Sequence, residues 1–204
     1  MKKEKKVRKR SDKKSDNTLQ LDSAWKDIIL EHFEPLMEFF FEEIHRDIDF
    51  DKGVEFLETE LRAITRNSNV GKRIADVLVK VFLKDGNEKI INLFIHIEVQ
   101  GQKESVFMSR IYEYNYKIYD RKKTKDIEVI SLAILTDEDE NFRENEWVIR
   151  RWGFEHRLKI PIAKILDYKI KPELSLKLET SKNIFALVVL AVLQIGRASC
   201  RERV

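Results

Sequence analysis

Two β-rich runs, IADVLVKVFL and IINLFIHIEV, flank the stretch KDGNEK, and this unit constrains the fold more than any other part of the chain. β-Branched and aromatic residues dominate both runs. The Asp-Gly pair between them is a hairpin signal, because a tight turn needs a positive φ that glycine adopts without steric cost. An antiparallel pair is therefore expected, with Asp85 and Gly86 at its tip. In the second run, alternation sends Leu93, Ile95, Ile97 and Val99 one way and Phe94, His96, Glu98 and Gln100 the other. Gly101 ends the strand.

Two carboxylates interrupt these apolar runs. Asp76 lies near the start of the first, and Glu98 near the end of the second. An isolated carboxylate in a sheet is costly, so it should be paired, hydrogen-bonded or bound to a cation. Counting outward from the turn, a residue about ten before it is expected beside one about eleven to twelve after it, which brings Asp76 near Glu98. Two carboxylates facing one point suit a hard cation such as Mg²⁺ or Mn²⁺. Such an ion can bind a phosphodiester and lower the pKa of a bound water. Gln100, two residues beyond Glu98, shares its face and can orient that water. The simpler reading makes Asp76 an edge charge and Glu98 a solvated strand end. His96, on the same face, reads better as a hydrogen-bonded structural histidine than as a general base.

The remaining chain supplies helices and further strands. SAWKDIILEHFEPLMEFFFEEIHRDI has helical period, and Pro35 either kinks it or divides it. VEFLETELRAITR suits a helix face and a strand alike; its place ahead of the sheet favours a strand. SVFMSRIYEYNYKIYDRKK is an amphipathic helix with Phe107, Ile111, Tyr114 and Ile118 on one stripe, and its tyrosines read as packing. IEVISLAIL is nearly continuous in apolar residues, as expected of a central strand covered on both faces. TDEDENFRENE reads as an acidic loop. VIRRWGFEHRLKIPIAKI reads as one or two strands interrupted at Gly153 and Pro161, and LSLKLETSKNIFALVVLAVLQ closes the chain as helix. The apolar run from Ile184 to Leu193 is too short to span a bilayer. No secretory signal is evident, so a cytoplasmic protein without membrane contact is expected.

The two ends are set apart from the domain, which is read as 21–194. Residues 1–20 hold nine basic and three acidic residues, a net of +6, and read as a disordered tail. That tail is either a solvated segment or an arm that touches nucleic-acid phosphates without reading sequence. Residues 195–204, IGRASCRERV, are the translation of ATC GGA AGA GCG TCG TGT AGG GAA AGA GTG, a common sequencing adapter. They are therefore read as an artefact, with the natural chain continuing beyond Gln194. The chain carries +3 in all, so residues 21–194 sum to −5 once both ends are removed. The only cysteine, Cys200, lies in the suspect tail, which leaves the domain without a disulfide, a thiolate nucleophile or a cysteine metal site. His32, His45 and His156 have no zinc spacing. Neither a phosphate-binding glycine loop nor a G-x-S-x-G motif is present.

GKRIADVLVKVFLKDG, HIEVQGQKE, RIYEYNYKIYDR, ISLAILTDED and NIFALVVLAVL, in that order, resemble the Rpn family of recombination-promoting nucleases and putative transposases, within the PD-(D/E)XK nuclease superfamily. The resemblance spans residues 25–194. It implies an α/β protein with a restriction-endonuclease-like fold: a mixed four- to five-stranded β-sheet flanked by helices. It also implies Mg²⁺-dependent cleavage of DNA. Asp76 matches the motif aspartate and Glu98 the motif glutamate, both as metal ligands and catalytic residues. Gln100 stands where the superfamily usually has lysine, so it orients by hydrogen bonds where lysine would add charge. Lys80 and Lys103 are the candidates to replace that charge. The superfamily often adds an upstream glutamate, for which Glu60 and Glu43 both qualify.

Arg110 and Tyr114, at i and i+4 on the following helix, share a face. They read either as a phosphate-contacting arginine with a supporting tyrosine, or as a core tyrosine beside an arginine paired with a surface acid. Two functions from different classes remain. One is a Mg²⁺-dependent endodeoxyribonuclease acting in recombination or with mobile elements. The other is an inactive nuclease-fold module that binds DNA or protein, favoured by Gln100 and by the acidic domain. An interaction protein with no nucleic-acid role is a third.

Overall fold

The computed structural model describes residues 24–65, 74–96, 107–122 and 128–201. The KDGNEK hairpin forms as expected, from β2 (Ile74–Phe82) and β3 (Glu88–His96). Gly86 has φ +90°, the conformation its turn requires. The turn is closed by Leu83 N–H donating to the Asn87 carbonyl at 2.8 Å. Asp85 accepts from the Asn87 backbone N–H at 2.9 Å and from its side-chain amide at 2.8 Å.

Around this hairpin a five-stranded sheet is ordered β1-β2-β3-β4-β7, with β1 at Val54–Phe56, β4 at Glu128–Leu135 and β7 at Ile162–Lys164. β1 and β3 each run antiparallel to β2, and β3, β4 and β7 run parallel, so the sheet is mixed. The β3-to-β4 crossover contains helix α5 (Phe107–Lys122), as a parallel connection demands. β4 is central, and alternation along it feeds two cores. Leu132 and Ile134 join one, Ala133 and Leu135 the other.

The first core lies under α1 (24–31), α2 (Phe33–Phe40), α3 (Glu42–Asp47), α7 (Pro172–Thr180) and α8 (Ile184–Arg201). Val77, Val79 and Val81 of β2 face it. Its centre is aromatic: Phe185 stacks on Trp25 and meets Phe40 edge-on, with centroids 6.4 and 5.7 Å apart. Lys177 of α7 ties this layer together by donating to the Phe39 carbonyl at 2.8 Å. The second core lies under α5 and α4 (Glu58–Thr65), with Leu78 of β2 facing it. The α5 stripe of Phe107, Ile111, Tyr114 and Ile118 is buried there, as its spacing predicts. Asn115 fixes the helix to β4 by donating to the Val129 carbonyl at 3.0 Å and to Ser131 Oγ at 3.1 Å.

The structure decides one alternative and revises other expectations. Pro35 divides the first helical run rather than kinking it. The division falls at His32, because proline supplies no N–H for the Glu31 carbonyl and its ring would crowd that group. VEFLETELRAITR is a strand only over Val54–Phe56 and then becomes α4. Strand alternation would have turned Phe56, Glu58 and Glu60 to one face, whereas the turn into a helix buries Leu57 and Leu61 together. VIRRWGFEHRLKIPIAKI holds three strands, not one or two. β5 (Glu146–Arg151) and β6 (Phe154–Lys159) form a separate two-stranded sheet, and β7 joins the main one. Between β7 and α7 lies the short helix α6 (Asp167–Ile170). Residues 195–201, in the suspect tail, continue α8. Among the described residues, no helix is long and apolar enough to cross a membrane.

Candidate active site

β2 runs against β3, so its start lies at the edge where the parallel strands β3, β4 and β7 end. Ile74, His96, Leu135 and Lys164 stand in one row across that edge. In open α/β sheets the carboxyl ends of parallel strands are the usual place for a ligand. Asp76 is two residues in from this row and pairs with Phe94. The expectation that Asp76 sits opposite Glu98 is thereby corrected. No bulge shifts the hairpin, so Asp76 and its partner Phe94 are each nine residues from Asp85. Glu98, Gln100 and Lys103 lie outside the described residues, as do the side chains of Asp76 and His96.

The chain after β3 returns as α5, whose first turn carries Arg110. This arginine is 4% exposed, in a turn whose Phe107, Met108 and Ile111 are also buried. Tyr114 is in the core, as the second reading of that pair has it. A guanidinium is a fixed cation, and burying one is tolerated only where its surroundings compensate it.

Lys80, one of the lysines the sequence offers as a substitute charge, lies farther into the sheet than Asp76. It is four residues along β2 from Asp76, about 13 Å by strand rise. There it pairs with Glu55 at 3.4 Å and lies over the Phe82 ring. Of the two upstream glutamates, Glu60 is half-buried on α4, whose Leu61 packs with the preceding Leu57 on the α5 side of the sheet. Glu43 is exposed on α3, whose Ile44 packs on the other side.

Sequence reasoning missed the clamp at this edge. Lys164, the last residue of β7, forms an ion pair with Asp137 in the loop after β4, and both side chains are 1% exposed. Its ammonium also donates to the carbonyls of Asp139 at 2.8 Å and Phe142 at 3.1 Å. In the same loop Arg143 makes a two-pronged bond to the buried Asp167 of α6, one prong at 2.9 Å, and Lys171 adds a contact at 2.6 Å. The Arg143 hydrogen bonds hold the Asp167 carboxyl below the usual aspartate range, against the opposing effect of burial. Two charges of this acidic loop thus anchor it to the sheet edge. The only sequence signal was density of charge, which does not reveal partners 24 and 27 residues away.

Among the described residues no group of three or more histidine, cysteine, aspartate or glutamate side chains is placed to hold a metal ion. By donor chemistry, the two carboxylates of Asp76 and Glu98 with the amide oxygen of Gln100 are hard oxygen ligands and fit Mg²⁺ or Mn²⁺. Comparison of the chain with protein-family models, with curated proteins and with solved structures finds no match in any of the three.

Proposed function

We propose that this chain is a Mg²⁺-dependent DNA endonuclease of the Rpn type, with a restriction-endonuclease-like core, acting in the cytoplasm in recombination or with mobile elements. One coincidence carries the reading. Asp76 lies two residues in from the row at which β3 ends, Glu98 and Gln100 follow β3 in the chain, and the next helix carries the buried Arg110. Asp76 and Glu98 would hold the ion, which when bound supplies an activated water and stabilises charge on the phosphate. Gln100 orients that water. Arg110 contributes the positive potential that a lysine at position 100 would have given. Glu60 is the upstream glutamate this arrangement favours.

A second reading, a nuclease-fold module that binds DNA or protein without cutting, is favoured by Gln100 itself and by the net −5 of residues 21–194. Mn²⁺ titration by calorimetry, alongside plasmid cleavage, separates the two. The nuclease reading expects a metal site lost in Asp76→Asn and Glu98→Gln, together with metal-dependent nicking. Binding of DNA with neither metal uptake nor nicking would favour the module.

A further inference from the structure

The β5–β6 hairpin is held at its base and bare at its tip. At the base, Trp147 stacks on Tyr112 of α5 at 4.2 Å and 12°, and His156 meets both rings edge-on. One face of the hairpin is closed by ion pairs, Glu146 with Arg157 and Arg150 with Glu155. The other face carries Trp147, Ile149 and Arg151 against Leu158, His156 and Phe154. Its inner half packs towards α5, while Ile149 and Phe154 in its outer half are exposed. The two-residue turn is Trp152-Gly153, with φ of +53° and +82°. A left-handed tryptophan is uncommon, because asparagine and glycine adopt that conformation at less cost. This one is 94% exposed, with the Arg151 guanidinium 5.2 Å from its ring centre.

A strained, exposed tryptophan on an anchored hairpin is a feature whose use lies outside the fold. Charge identifies the partner. Residues 146–159 carry four basic and two acidic side chains, a net of +2, on a domain of net −5. The hairpin is thus a cationic, aromatic projection from an acidic body. The Tyr112 stripe of α5 continues, at i+4 and i+7, into the exposed Tyr116 and Tyr119.

We infer that this hairpin is a binding arm for an unpaired nucleic-acid strand, with Trp152 stacking on a base and Arg151 beside it meeting the backbone. Flat aromatic faces with adjacent cations bind single strands without sequence preference, since every base offers a π-face. A paired base has both faces covered and gains little from such an arm. The inference rests on the nucleic-acid reading above for its partner class, but not on cleavage.

The test is fluorescence anisotropy of a labelled oligothymidylate and of a matched duplex, in EDTA, with the full chain. Trp152→Ala is expected to weaken oligothymidylate binding about tenfold and duplex binding less than twofold. Trp152→Phe should retain most of the affinity. Trp152 is exposed, so neither change threatens folding, and circular dichroism checks this. Equal affinity in Trp152→Ala and wild type would overturn the inference. So would the absence of oligothymidylate binding by the wild type, or a Trp152-dependent attachment to anionic vesicles or to a second copy instead. EDTA keeps binding separate from metal-dependent cleavage, so Trp152-dependent binding here by a protein that fails to nick plasmid with Mg²⁺ would refute the nuclease and keep the arm.

Discussion

Asp137 and Lys164 form a buried ion pair that joins the loop after β4 to the end of β7, at the sheet edge where Asp76 enters. Removing either partner leaves the other charge buried and uncompensated. Lys164→Met is expected to cost about 3–5 kcal/mol in urea denaturation. The double variant Asp137→Leu with Lys164→Met should recover a large part of that loss. A single variant that costs under about 1 kcal/mol would show that the loop is not clamped as described.

Asp167 gives the stability a defined acid dependence. Its folded-state pKa is depressed by the Arg143 hydrogen bonds, with Lys171 assisting. The stabilisation is therefore present above the unfolded-state value, about 3.9, and is lost as pH falls through the lower folded-state value. Asp167→Asn is expected to cost about 1.5–3 kcal/mol near neutral pH. The gap between variant and wild type should close progressively below about pH 4. Denaturant melts from pH 7 to pH 2.5 measure this; a gap that widens with acid would contradict the assignment.

Phe185 reports on the α8 half of the molecule. It is fully buried between Trp25 and Phe40. Phe185→Ala should cost about 3–5 kcal/mol by lost transfer energy and the cavity left behind. A loss below about 1 kcal/mol would mean that α8 does not contribute its aromatic ring to the core.

At the hairpin tip, stability and use oppose each other. Trp152→Asn relieves a left-handed backbone that costs a side-chain-bearing residue roughly 1–2 kcal/mol. The variant is expected to be more stable by about 0.5–1 kcal/mol, since so exposed a ring gives up little packing. Thermal and urea unfolding read this directly, and a destabilised variant would refute the strain.

Regular periodicity made parts of this fold legible. The Asp-Gly turn, the pairing of β2 with β3, the stripe of α5 and the apolar run of β4 are each set by local turn chemistry or local patterning. Reading failed where burial depends on distant partners. Leu57 and Leu61 reveal α4 only once β2 and α5 supply a surface for them. Asp137 and Lys164 are unremarkable charges until two parallel strands bring them together. The tyrosines of α5 looked alike, yet Tyr114 is core, Tyr112 stacks on Trp147, and Tyr116 and Tyr119 are exposed. Tryptophan at a hairpin turn was equally unreadable, because Trp-Gly is not a turn pair that sequence rules favour. Of the candidate site, the sequence offers Asp76 and Glu98 but does not reveal that Arg110 is buried.

Nicking of supercoiled plasmid by wild type, Asp76→Ala and Glu98→Ala, each with Mg²⁺ and with EDTA, tests the nuclease most directly. The expected result is nicking by the wild type with Mg²⁺ and none in EDTA or in either variant. Failure of the wild type to nick, or nicking that survives both substitutions, would contradict a site built on Asp76 and Glu98.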